Sequence, residues 1–373
     1  MDIWELLEWN GIVCNKDVDT RLLDIEKIIK SKFEQEAIQF MVIQSNRVII
    51  KINTLSGKSY ALWDRSYWDI YAFYMFGILN IAKDRGQEGT VRLQYETRDF
   101  LSASIMLFLA LRIKDNDLSK KFAFAYRSEM SLPGSIMMEM SIESVLEDYE
   151  IAQYFVAMHE KNHCLLKNNK DSEKALVVRI ENSIKFAKML ISERSNPNIK
   201  KNYGMSKGQL LRMLTSVLND NSLKTDLICD VSAFNECLFL FLDRWKGKYT
   251  EEKIINKCLE GIRIYGYFST LLNLLDAFWN DFNVTIEDIQ EKLLSRVRRY
   301  DVSELIYMIQ LSSYDFDLEE ITKPDSFRKL DDKNLVVQEV LNRFVNDQVR
   351  DKWMLLDVNI KEKYKYELLE WRI

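Results

Sequence analysis

The stretch "YFVAMHEKNHCLL" at residues 154–166 lies within a regular apolar pattern and holds both histidines of the chain, His159 and His163. Apolar residues recur around them at helical spacing: Ile151, Phe155, Met158 and Leu166. This pattern predicts one α-helix over residues 143–168. Residues four apart lie on the same side of a helix, so both histidines are expected on one largely apolar face.

Helix is expected along most of the chain, because only 3 prolines and 11 glycines interrupt 373 residues. The clearest exception is a pair of β-branched and aromatic runs, "RVIIKIN" at 47–53 and "KSYALWD" at 58–64, separated by a spacer that ends in Gly57. These runs predict a β-hairpin, and residues 91–96 and 121–127 are further candidate strands. The predicted fold class is therefore α+β and predominantly helical, with a small sheet packed on helices.

The length of 373 residues exceeds what one hydrophobic core usually serves. We expect a main domain over residues 1–250, which holds the hairpin, the helix at 143–168 and another helix at about 225–243. Residues 251–373 are expected to form a helical C-terminal extension.

The charge balance disfavours nucleic acid as a partner. Lys and Arg number 52 against 57 Asp and Glu, which gives a formal charge of −5, and the two signs are interspersed. Nucleic-acid binding needs a basic surface. The chain also shows no phosphate-binding glycine loop, dinucleotide fingerprint or serine nucleophile elbow, which disfavours kinases, dehydrogenases and esterases.

The cysteine usage favours a reducing compartment. The five cysteines are odd in number and never spaced as C-x-x-C, so neither a disulfide framework nor a thiolate zinc site is indicated. The stretch "MDIWELLEWNG" carries acids where a signal peptide would carry lysines. The most apolar run, at residues 100–113, is too short to span a bilayer core of about 30 Å. We therefore expect a cytoplasmic protein without a membrane span.

The histidine pair predicts a metal site. The imidazoles of His159 and His163 lie one helical turn apart, so both can reach one ion. Catalytic zinc is held by two or three imidazoles, often with a carboxylate, and keeps one position for water. Glu160 directly follows the first histidine, where its carboxylate can take a proton from that water. The alternative is a pair of partly exposed histidines that make only local hydrogen bonds.

The segment "VAMHEKNHCL" resembles the zinc metallopeptidases that share the H-E-x-x-H pattern. By this resemblance His159 and His163 are ligands of Zn²⁺, and Glu160 is the general base that activates the zinc-bound water. Lys161 departs from the family's preference for uncharged residues between the glutamate and the second histidine. The resemblance implies that residues 1–250 form a zincin-like metallopeptidase domain.

A third ligand has to be an acid from another helix, because the chain has no third histidine. The segment "DLICDVSA" at 226–233 is similar to the E-x-x-A-D-x-x-A helix of gluzincins. That resemblance implies that Asp226 is the third ligand and that Asp230 supports the site by hydrogen bonding to a histidine. An alternative role for Asp226 is to stabilise a helix N-terminus. Three other acids stay open as the third ligand: Glu173, Glu181 and Glu236.

Together these features predict a zinc-dependent metallopeptidase, a hydrolase whose substrate is a protein or peptide. The alternative is a non-catalytic helical interaction or regulatory protein, in which the metal site is vestigial or structural. A tyrosine is the expected oxyanion donor, because the chain has 17 tyrosines and no spare histidine, but the sequence selects none of them.

Overall fold

The computed structural model describes the histidine helix, the predicted hairpin and the helices packed around them. The described residues are 3–9, 14, 20–45, 50–72, 75, 142–168, parts of 174–189, 207–219, 221–280, 303, 306 and 307. Helices predominate among them and the strands form a small sheet, which confirms a predominantly helical α+β fold. The candidate strands at 91–96 and 121–127 lie outside the described residues. Among the described residues, no helix is both long and apolar enough to cross a lipid bilayer.

The predicted hairpin is confirmed. Strands β1 (Ile38–Ile43), β2 (Ile50–Leu55) and β3 (Lys58–Asp64) form a sheet in the order β1-β3-β2. Strands β2 and β3 are antiparallel neighbours. The two residues that join them, Ser56 and Gly57, have φ angles of 50° and 78°. Positive φ at both positions is what a two-residue type I′ turn requires, and glycine adopts it without steric cost.

Strand β1 is not among the elements that the sequence predicts. It pairs parallel to β3 and comes just after α2 (Asp24–Gln35), which follows α1 (Ile3–Trp9). Between α2 and β1, Ala37 has a φ of 56°, which cannot continue a right-handed helix. A six-residue segment with five apolar residues, directly after a helix, has no periodicity that distinguishes a strand from a continued helix. The pairing with β3 makes this run a strand.

Helix α3 (Ile142–Asn168) carries both histidines and lies at the centre of the described helices. Its bounds agree with the predicted helix at 143–168. All eight residues from 151 to 158 are buried, so neighbouring elements cover α3 on every face over two turns. The later helices are α4 (Lys207–Asn219), α5 (Asn221–Arg244) and α6 (Glu251–Asn280).

Helix α6 begins where the C-terminal extension is predicted to begin, and it packs against both α3 and α5. At Gly261, an added Cβ would lie 2.9 Å from Cγ2 of Ile151. The absence of a side chain at this position therefore permits the close approach of α6 to α3. A domain boundary at residue 250 stays a prediction, but α6 belongs to the same packed helices as the histidines.

A buried carboxylate on α3 fixes the start of α6. Glu147 accepts hydrogen bonds from Nζ of Lys248 at 2.7 Å, from the Tyr249 hydroxyl at 2.8 Å, and from Nζ of Lys257. Burial by itself raises the pKa of Glu147, but these three donors outweigh burial and hold the pKa below its usual value. Charge-assisted hydrogen bonds of this kind stabilise the α5–α6 connection against α3.

Candidate metal centre

Helices α3 and α5 run antiparallel and bring two polar pairs together. His163 contacts Asp226, and His159 contacts Asp230. The residue numbers rise along α5 as they fall along α3, which is the pattern of antiparallel neighbours. Because both the histidines and the aspartates are four residues apart, each histidine faces its own aspartate.

The Nε2 atoms of the two histidines converge on one point. They lie 3.0 Å apart, and the ring planes are inclined by 77°. Oδ1 of Asp226 lies 3.1 Å from Nε2 of His163. One ligand atom from each of His159, His163 and Asp226 lies within 4.8 Å of the other two. Two donors bound at about 2.0–2.1 Å to a tetrahedral zinc ion are about 3.3–3.4 Å apart, so the observed separations are close to those of a zinc site.

Asp230 lies at the opposite nitrogen of the His159 ring. Its Oδ1 is 2.8 Å from Nδ1 of His159, and its side chain is only 1% exposed. A carboxylate at Nδ1 favours the tautomer that carries its proton there, which leaves the lone pair of Nε2 available to a cation. The other carboxylate oxygen of Asp230 accepts a hydrogen bond from the Ser303 hydroxyl at 3.1 Å.

The three candidate ligands are partly open to solvent, whereas the support behind them is buried. The side chains of His159, His163 and Asp226 are 13%, 24% and 29% exposed. Zinc sites that serve structure alone are usually closed by four protein ligands, while catalytic sites keep one position open. In the part of the chain that the structure describes, the three side chains therefore form an open cluster and not one closed by four protein ligands.

Glu160 lies within the electrostatic influence of this cluster. Burial raises the pKa of Glu160, the imidazoles of His159 and His163 oppose that rise, and the carboxylate of Asp226 adds to it. The Glu160 carboxyl group therefore interacts electrostatically with both histidines and with Asp226. The sequence predicts a general base at this residue.

Lys161, the charged residue inside the H-E-x-x-H segment, is directed elsewhere. It follows His159 by two residues, so its side chain leaves the helix about 200° further round. It is buried, and its Nζ lies 2.5 Å from Oε2 of Glu236 on α5. The amide of Asn162 lies 3.5 Å from Oε1 of the same glutamate. The lysine charge is thus balanced by Glu236 instead of being directed at the histidines.

The rival acids for the third ligand position have other surroundings. Glu236 forms the ion pair with the lysine just described. Glu181 lies 2.7 Å from Nζ of Lys224, and Glu173 lies outside the described residues. Among the candidate acids that the structure describes, Asp226 is the one with an oxygen beside the converging Nε2 atoms.

Ser303 belongs to the site but has no signal in the sequence. It lies 73 residues after Asp230, in the region that the sequence assigns to the C-terminal extension. A serine on the inner face of a helix is an ordinary feature of a packed protein, and no spacing links it to the histidines. Only the three-dimensional structure brings it to Asp230.

No family model, curated protein or solved structure matches the chain. The resemblance to H-E-x-x-H peptidases therefore depends on two short segments, residues 156–165 and 226–233. The stronger observation is the arrangement of the two histidines on α3 and the two aspartates on α5.

Proposed function

We propose that this chain is a zinc-dependent metallopeptidase that cleaves a protein or peptide substrate. Its metal ligands are His159, His163 and Asp226, and its general base is Glu160. The observation that supports this proposal most is the convergence of two imidazole nitrogens and a carboxylate oxygen from antiparallel helices, with separations of 3.0 Å and 3.1 Å.

The donor set fits zinc better than it fits a harder cation. Two imidazoles and one carboxylate are a common ligand set of catalytic zinc, and they leave one position for water. Magnesium and calcium prefer sites made of oxygen donors. The partial exposure of the three side chains is compatible with an open fourth position.

The chain's own residues supply the remaining parts of a hydrolytic site. A zinc ion bound here would act as a Lewis acid that polarises the substrate carbonyl and lowers the pKa of a coordinated water. Glu160 would accept a proton from the attacking water and donate it to the leaving amine. Asp230 would keep the His159 ring oriented and increase the basicity of its Nε2.

The decisive test is Glu160→Gln in the full-length chain. Because this change removes the base and spares the ligands, we expect about one zinc ion per chain, as in the parent. Cleavage of a mixed peptide library, followed by mass spectrometry, should fall by a factor of about 10²–10⁴. His159→Ala should instead lose zinc and cleavage together. Parental cleavage rates in Glu160→Gln would refute the mechanism.

The position of the cluster between α3 and α5 supports a second candidate function. A zinc ion there would hold the two helices together, which is sufficient for a non-catalytic interaction or regulatory protein. In that case a chelator lowers the unfolding temperature of the parent and of Glu160→Gln equally, and neither protein cleaves the library. The peptidase proposal requires the two proteins to differ in cleavage.

We also propose that the protein acts in the cytoplasm. All five cysteines are free thiols, and four of them are buried: Cys164, Cys229, Cys237 and Cys258. Reduced cysteines are typical of proteins from reducing compartments.

A further inference from the structure

Three described residues beyond α6 form one buried helical face. Ser303, Ile306 and Tyr307 are helical and at most 2% exposed, and their spacing of three and four residues places them on one side of a helix. The Tyr307 ring stacks on Phe234 of α5, with centroids 3.9 Å apart and planes inclined by 14°. Ser303 precedes Tyr307 by four residues, just as Asp230 precedes Phe234. This face therefore lies along α5 beside Asp230.

Each oxygen of the Asp230 carboxylate contacts a polar side chain. Oδ1 lies 2.8 Å from Nδ1 of His159, and Oδ2 accepts the hydrogen bond of Ser303 at 3.1 Å. Asp230 is fully buried, and a buried carboxylate is stable only when hydrogen-bond donors or charges compensate for lost hydration. With one oxygen fixed by Ser303, the plane of the carboxylate is restricted, and so is the direction in which Oδ1 meets the imidazole.

We propose that Ser303 is a positioning residue of the metal centre. It holds Asp230 in the orientation that keeps the proton on Nδ1 of His159 and directs Nε2 towards His163 and Asp226. This inference depends on the proposed function for its effect on zinc. It also makes Ser303 a structural part of the site, because its hydroxyl hydrogen-bonds to the carboxylate that supports His159.

The expected effect is smaller than that of removing the support itself. Loss of a group that hydrogen-bonds directly to a metal-bound histidine typically lowers metal affinity by about 10–100-fold. Ser303 acts one step further out, so Ser303→Ala should weaken zinc binding by about three- to tenfold. Ser303→Thr keeps the hydroxyl and should restore the parental affinity.

Zinc affinity is measured on the full chain by competition with a chromophoric chelator. Ser66→Ala is the matched control, because Ser66 is also a buried serine on a helical stretch and has no assigned part in the metal centre. It should bind zinc like the parent. In an Asp230→Asn background, Ser303→Ala should cause no further loss of zinc affinity, because the carboxylate through which Ser303 acts is already absent. A serine with a merely structural role would lower stability equally in both backgrounds.

The ring of His159 gives a second measurement that needs no metal. The chain has only two histidines, so selective ¹⁵N labelling of histidine gives two imidazole spin systems, which His163→Gln assigns. Long-range ¹H–¹⁵N spectra of the metal-free chain report the tautomer of each ring. We expect the Nδ1–H form of His159 in the parent and in Ser303→Thr, and a reduced share of that form in Ser303→Ala.

The outcomes separate this inference from the proposed function. Parental zinc affinity and an unchanged His159 tautomer in Ser303→Ala would overturn the role of Ser303 and leave the metal centre intact. A parent chain that binds no zinc would overturn the proposed function, and the metal-free spectra would then decide whether Ser303 orients His159. If Ser303→Ala does not fold, Ser303→Thr decides, because loss of zinc affinity in a folded variant that keeps the hydroxyl would contradict the assignment.

Discussion

Replacing Asp226 by asparagine tests the metal centre at the ligand that distinguishes it most clearly from a simple histidine pair. Oδ1 of Asp226 lies 3.1 Å from Nε2 of His163, close to the separation of two donors on one zinc ion. The substitution preserves the size and shape of the side chain and removes its charge. Asp226 is 29% exposed, so the change should affect metal binding far more than folding.

The expected size of the effect follows from the share of one ligand in a zinc site. Zinc binds to four-ligand structural sites with about 10–16 kcal/mol near neutral pH, so one ligand accounts for roughly 2.5–4 kcal/mol. Since about 1.4 kcal/mol corresponds to tenfold in Kd, complete loss of one ligand weakens binding by roughly 60- to 700-fold. The amide oxygen of asparagine is still a weak donor, so we expect Asp226→Asn to lose about a hundredfold in zinc affinity.

The assay is again competition with a chromophoric chelator at fixed pH, with Glu181→Gln as the control. Glu181 is one of the rival acids for the third ligand position and pairs with Lys224 at 2.7 Å, so its neutralisation should leave zinc affinity at the parental value. Parental affinity in Asp226→Asn, or a hundredfold loss in Glu181→Gln, would show that the third ligand has been assigned to the wrong residue.

Two further predictions concern the helices that hold the cluster in place. Gly261→Ala should lower the free energy of unfolding by up to about 2 kcal/mol, because overpacking against Ile151 costs about 1–3 kcal/mol and alanine regains about 1 kcal/mol of helix propensity. In urea denaturation the loss should shrink in an Ile151→Ala background, and additive effects of the two changes would contradict the contact. Glu147→Gln should lower stability at pH 7 by about 1–3 kcal/mol, because it removes the carboxylate charge to which Lys248, Tyr249 and Lys257 donate hydrogen bonds. Since the pKa of Glu147 is held below its usual value in the folded chain, its contribution is present above the unfolded pKa of about 4.3 and is lost as the pH falls through the folded value. The difference between parent and Glu147→Gln should therefore decrease in acid denaturation below about pH 4.3, and a constant difference would contradict this role.

The parts of the structure that the sequence predicts are those set by local periodicity. The helix around His159 and His163 and the hairpin at Gly57 follow from apolar spacing and turn chemistry, which act over a few residues. The same spacing places Asp226 and Asp230 on one face of their helix. These features can be predicted without knowing how the helices pack against each other.

The parts that the sequence does not predict depend on contacts between distant segments. Strand β1 is a strand because β3 lies beside it, and its own apolar residues are equally compatible with helix. Ser303 reaches Asp230 across 73 residues, and nothing in its neighbourhood marks it as polar support for a histidine. The packing of α6 against α3 likewise joins residues from both sides of the predicted boundary at residue 250.

The different roles that we propose for the two aspartates follow from which histidine nitrogen each carboxylate contacts. A carboxylate oxygen at Nε2 of His163 lies on the side where the second imidazole also converges, so the oxygen and both nitrogens can share one cation. A carboxylate at Nδ1 of His159 lies across the ring from that point, so it can fix the ring but cannot share the cation. Neutralising the two aspartates should therefore affect zinc binding differently. In the proposed site, Asp226→Asn removes a ligand. Asp230→Asn leaves all three ligands and disturbs the orientation of the His159 ring. In zinc titrations we expect Asp230→Asn to lose about 10–100-fold in affinity while still binding about one ion per chain. If Asp230→Asn binds no zinc and Asp226→Asn binds it normally, the two roles are reversed, and the cation lies on the other side of the His159 ring.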